Sequence, residues 1–160
     1  LCLNHLNSAV EVGNNLEARS QMQMAASMGA VAFQQDLGMI HSLAHPLSAR
    51  HGMHHGLANA LMLPDSVAFL EAANLNEEQQ HRIQTIRTLF KEVNRSGESL
   101  ANETRTWFQE LGIQFGLQHH DIPSEDLDNL ADEAFADPCH ATNLIAVTRG
   151  DLASIYKQAL

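Results

Sequence analysis

Residues 38–64, GMIHSLAHPLSARHGMHHGLANALMLP, decide how the rest of the chain reads. The stretch carries five of the ten histidines: His41, His45, His51, His54 and His55. On an α-helix, residues four apart lie one above the other, so His41 and His45 share a face. His54-His55-Gly56 falls at a short break, after which residues 57–63 resume an apolar run. A histidine at such a break can be aimed back at a neighbouring helix. The pattern predicts a metal-facing wall of imidazoles built on two consecutive helices.

Helical signals continue on both sides. Upstream, Leu3, Leu6 and Val10 fit one stripe, and Gly13-Asn14-Asn15 reads as a stop. Residues 16–34 predict a buried helix whose methionines, Met22, Met24 and Met28, fill the core. Residues 35–50 predict the next helix, loosened by Pro46, which lacks a backbone donor. Residues 56–63 restart as a helix that bends at Pro64. Downstream, Asn76 followed by Gln79 marks a helix start. Residues 77–93 are amphipathic, with Ile83, Ile86, Leu89, Phe90 and Val93 on one side. Residues 100–111 carry Trp107 and Phe108 and close at Gly112. Residues 116–123 read as loop, and Ser124 caps a helix over 125–135. Residues 137–147 read as an ordered loop, and Thr148 with Asp151 opens the last helix. The prediction is an all-α bundle of about seven helices with no strand, one domain over residues 1–160.

Composition agrees. The chain has 160 residues, enough for one core, with 44% hydrophobic but only 5% aromatic residues. The core must therefore be mostly Leu, Ala, Ile, Val and Met, and β-branched runs are scarce. A formal net charge of −10 excludes nucleic acid as a partner, because that needs clustered Lys and Arg. The two cysteines, Cys2 and Cys139, form neither a zinc knuckle nor a disulfide framework. That usage predicts a reduced, cytoplasmic setting. No apolar run is long enough to span a membrane, and no signal peptide is seen. The first residue is Leu1 rather than methionine, so the chain reads as part of a longer protein.

The histidine stretch resembles the motif of the iron-dependent (group III) alcohol dehydrogenases, G-x-x-H-x-x-x-H-P-L-G-x(6)-H-G-x-x-N-A-x-x-L-P. Gly38, His41, His45, Pro46, Leu47, His55, Gly56, Asn59, Ala60, Leu63 and Pro64 match it, and Ser48 replaces the usual glycine. His54 stands where the family usually has proline. Further on, Trp107, Leu111, Gly112, Ile113, Ala134, Asp137, Cys139 and Asn143 follow the family's order, while Leu144 replaces a proline. The likeness runs from about residue 16 to the end.

Spacing alone selects His41 and His45 as the ligand pair, since i,i+4 histidines build helical zinc sites. The resemblance implies instead that His41 and His55 hold the metal and that His45 lines the pocket, bonding substrate or relaying a proton. It implies that Cys139 lies at the substrate entrance. The cofactors implied are Fe²⁺ (or Zn²⁺) and NAD(P), and the substrate a small alcohol or aldehyde. A metalloprotease is excluded, because Ser42 stands where the helical zinc motif needs glutamate. His5, His81, His119 and His120 read as ordinary surface or core residues, and His51 and His54 stay open.

The family's other two ligands, an aspartate and a histidine four apart, find no match here, and neither does a glycine-rich nucleotide turn. The expectation is therefore a C-terminal helical domain that supplies half of a metal shell and lacks the N-terminal nucleotide-binding domain. On its own it should be inactive. Two further readings stay open: a truncated or degenerate metal-binding module without catalysis, and a glycerol dehydrogenase-like relative using zinc. A homo-oligomer is compatible with the sequence.

Overall fold

A computed structural model describes all residues 1–160. It contains eight α-helices and no strand: α1 Cys2–Glu11, α2 Leu16–Ala32, α3 Met39–His51, α4 His55–Ala72, α5 Glu77–Glu92, α6 Leu100–Glu110, α7 Leu127–Ala136 and α8 Arg149–Ala159. Short 3₁₀ turns join several of them, among them Leu117–His120 inside the expected loop at 116–123 and Pro138–Thr142 inside that at 137–147. No helix is long and apolar enough to cross a membrane.

The core is the junction of α3, α4, α7 and α8. Met39, Leu43, Ala44 and Leu47 of α3 are fully buried, and they repeat at the i, i+4, i+8 spacing of one helix face. They meet Ala58, Leu61 and Met62 of α4, Leu130, Ala131 and Ala134 of α7, and Leu152, Ile155 and Tyr156 of α8. The Tyr156 hydroxyl donates to the Leu43 carbonyl at 2.6 Å, pinning α8 to the middle of α3. A smaller cluster, Val67, Phe90, Leu100, Ala101 and Trp107, joins the end of α4 to α5 and α6. There the Glu71 carboxylate accepts from the Leu100 and Ala101 amides at 2.9 and 3.1 Å, neutralising the donor-rich start of α6.

Local end signals work as the sequence indicates. Asn76 and Gln79 form a reciprocal capping box at α5, and Thr148 and Asp151 form one at α8. Pro46 and Pro64 do not end their helices: α3 runs on to His51 and α4 to Ala72. Both prolines are buried, so packing on every side outweighs the lost backbone bond.

One expectation is overturned. α2 is not buried; only Ala18 is, while Leu16, Met24, Met28 and Val31 are more than half exposed. Met24, Met28 and Val31 do form a stripe at helical spacing, but α2 packs chiefly against α1 and that stripe stays exposed.

Candidate metal centre

α3 and α4 build the site between them. α3 ends at Gly52, whose left-handed φ of 66° and amide bond to Ser48 form a glycine cap. Ten residues of helix put His41 and His51 about 15 Å apart along α3. The short link 52–54 folds back over the end of α3, with the Met53 amide bonded to the Leu47 carbonyl, and starts α4 at His55. The structure brings all three rings together. Centroids lie 5.4 Å apart for His41–His55, 5.8 Å for His41–His45 and 5.3 Å for His45–His55.

The ring separations can be set against the geometry of a shared cation. Two imidazoles bound at about 2.0–2.1 Å with a tetrahedral angle between them put their centroids about 5.2 Å apart. His41 and His55 match this at 5.4 Å, with planes inclined by 50°. His45 and His55 are stacked, with centroids 5.3 Å apart and planes inclined by 20°. The Nδ1 of His45 is occupied, 2.7 Å from Asp137 Oδ2. The His41 pKa lies below the ordinary value, lowered first by burial and then by His55 and His45. Its lone pair is therefore available at neutral pH, as a metal ligand requires. The donor set is imidazole, which suits Fe²⁺, Zn²⁺, Co²⁺ or Ni²⁺.

Asp137, between α7 and the turn Pro138–Thr142, closes one flank. Its Oδ1 accepts from Ser42 Oγ at 3.0 Å and from the Cys139 amide at 2.8 Å. Burial pushes this carboxyl up, but the bonds from His45, Cys139 and Ser42 outweigh it and hold the pKa well below the usual carboxylate range. Cys139 is half-buried beside it. Burial and the adjacent carboxylate push its thiol up to about 11, so with no cation beside it Cys139 is a protonated thiol at neutral pH. Asn143 fastens the same turn to the start of α3, its Oδ1 accepting from the Met39 amide at 3.4 Å. A Cβ on Gly38 would lie 3.0 Å from that oxygen, so any larger residue there pushes the Asn143 side chain aside. The other flank is open. A cleft of about 500 Å³ begins at His41 and His55 and runs past Ile40, Asn59 and Leu63 to Phe108. At its rim Asn59 Nδ2 donates to the His55 carbonyl at 3.0 Å and lies 3.0 Å from His55 Nε2, while the buried Oδ1 of Asn59 has no partner.

The remaining histidines lie elsewhere. His51 Nε2 is 2.8 Å from Asp126, which also takes a two-pronged bond from Arg50 at 2.6 and 3.0 Å and ties α3 to α7. His54 is exposed, its ring against Gly56. His120 bonds the Gln114 carbonyl. Asp137 as partner of His45, with Ser42 as its support, was not evident from the sequence, where Ser42 reads only as a missing glutamate.

A family model described as "Fe-containing alcohol dehydrogenase family, C-terminal" matches residues 1–160. The chain belongs to the iron-containing alcohol dehydrogenase family. Curated relatives in this family include a 4-hydroxybutyrate dehydrogenase of Cupriavidus necator, 29% identical over 98% of the chain and 41% of the relative. Another is an NAD-dependent methanol dehydrogenase of Bacillus methanolicus, 30% identical over 98% of the chain and 42% of the relative. Among solved structures, that of a 1,3-propanediol oxidoreductase superposes with a TM-score of 0.88 at 27% identity, over 99% of this chain and 42% of the other. The chain thus spans about two fifths of the length of the relatives it matches. The eight-helix, strand-free architecture is that of the C-terminal domain of iron alcohol dehydrogenases.

Proposed function

We propose that this domain supplies His41 and His55 to a divalent metal, Fe²⁺ or Zn²⁺, in an enzyme that moves hydride between a small alcohol or aldehyde and NAD(P). The observation that carries the reading is the 5.4 Å convergence of His41 and His55 beside an open cleft, in a chain of this family. The metal would supply Lewis-acid polarisation of the alcohol oxygen. His41 and His55 would hold the metal from one side, with Asp137 and Ser42 closing one flank and the cleft open on the other. His45, stacked on His55, bonds the substrate hydroxyl and relays its proton through Nε2. Cys139 lies beside that proton path and contributes a neutral wall. Among the residues lining the cleft, Ile40, Ala60, Leu63 and Phe108 are apolar and none is Lys or Arg, which favours a short neutral alcohol. NAD(P) binding belongs to a nucleotide-binding domain in the length of the relatives that this chain does not span. The uncovered stripe of Met24, Met28 and Val31 is where another part of that enzyme packs.

The test is metal content and NAD(P)-linked oxidation of methanol, ethanol and 1,3-propanediol by the intact enzyme, with His41→Ala and His55→Ala beside it. Loss of both metal and turnover in each variant is expected. Full metal content and turnover in both variants contradict the proposal.

A further inference from the structure

The carboxylate of Asp137 is met by the Ser42 hydroxyl, the Cys139 residue and one ring nitrogen of His45. Ser42 Oγ and the Cys139 amide both point at its Oδ1, at 3.0 and 2.8 Å, and His45 Nδ1 lies 2.7 Å from its Oδ2. A hydroxyl can rotate to give or take a proton, but a backbone amide only gives. Oδ1 is therefore an acceptor, and the carboxylate faces His45 with an accepting Oδ2. The ring nitrogen opposite must then carry hydrogen. Asp137 cannot easily turn away: it caps the turn Pro138–Thr142 through the Cys139 amide, and Ser42, fully buried, holds it from α3.

We propose that Asp137 is the positioning residue of this site, locking His45 as the Nδ1–H tautomer through Oδ2 and leaving Nε2 as the only nitrogen free to meet substrate. The proposal rests on the functional reading above for the meaning of Nε2, but the tautomer itself is a property of the chain alone. An imidazole with no fixed partner exchanges tautomers and ring orientations. A carboxylate on Nδ1 removes that freedom, as second-shell carboxylates do for histidines elsewhere.

The chemistry of an amide substitution makes this testable. In Asp137→Asn one oxygen becomes NH₂. If the NH₂ took the Oδ1 place, it would face the Cys139 amide, donor against donor. It takes the Oδ2 place instead and donates to His45 Nδ1, forcing the hydrogen onto Nε2. The experiment is two-bond ¹H–¹⁵N NMR of the histidine rings in the ¹⁵N-labelled chain without metal, above the pH where they titrate. His45 in the unmodified chain is expected to show hydrogen on Nδ1. Asp137→Asn is expected to move it to Nε2, and Ser42→Ala, which keeps Oδ2 in place, is expected to leave it on Nδ1. Hydrogen on Nε2 in the unmodified chain overturns the proposal even if the variant fails to fold, and so does an unmoved tautomer in a folded Asp137→Asn. In the intact enzyme, Asp137→Asn should lower kcat about 10–100-fold with metal content kept. If the tautomer flips while His41→Ala and His55→Ala keep full metal and activity, the functional reading fails and the role of Asp137 stands.

Discussion

Replacing Leu43 by alanine tests whether α3 is held by the face opposite its histidines. Leu43 lies between His41 and His45 in sequence but is fully buried against the core. The change removes three carbons, worth about 2.4 kcal/mol at about 0.8 kcal/mol per buried methylene. The unfilled cavity adds a further penalty of about 24 cal/mol per Å³, giving about 3 kcal/mol in all. For a chain of this size 1 kcal/mol lowers Tm by roughly 2–4 °C, so a fall of about 6–12 °C is expected. The assay is thermal unfolding of the 160-residue chain followed by far-UV circular dichroism. Met28→Ala on α2 is the control: Met28 is 59% exposed, and the change should cost under about 0.5 kcal/mol. A Leu43→Ala loss below about 1 kcal/mol, or a Met28→Ala loss as large as that of Leu43→Ala, would refute the assignment of the core to α3 rather than α2.

Three further outcomes follow from individual contacts. Tyr156→Phe removes the buried bond to the Leu43 carbonyl and should cost about 1 kcal/mol in urea unfolding. Gly38→Ala forces its Cβ to within 3.0 Å of Asn143 Oδ1, breaks the bond to Met39 and should lose about 1 kcal/mol, with faster hydrogen exchange at the first amides of α3. Asp126, held low first by Arg50 and then by Asn129, and Asp137, held low by its donors against burial, both have folded pKa values below their unfolded ones. Their stabilisation is therefore complete above about pH 4 and is lost as pH falls further toward the folded values. A stability–pH curve should drop below about pH 4, and less steeply for Asp126→Asn.

What could be read in advance was local. His41 and His45 share a face because a helix repeats every 3.6 residues, and Asn76 and Thr148 announce their helices because a capping box spans three positions. The inward side of α7, Leu127, Leu130, Ala131 and Ala134, follows from the same periodicity and is buried. Contacts across the chain were not legible. Asp137 meets His45 across 92 positions, and nothing near Asp137 marks which ring it faces. The error on α2 has a different origin: a stripe of Met24, Met28 and Val31 tells that a face is apolar, not that this chain covers it.

The central claim is that one ion is shared by His41 and His55. The most direct measurement is a crystal structure of the protein loaded with Zn²⁺ or Co²⁺, with anomalous data collected at the metal edge. A single strong peak within about 2.0–2.3 Å of a nitrogen on each of these two rings is the predicted result. A peak at His45, Asp137 and Cys139 instead, or one touching only one of the two rings, contradicts it.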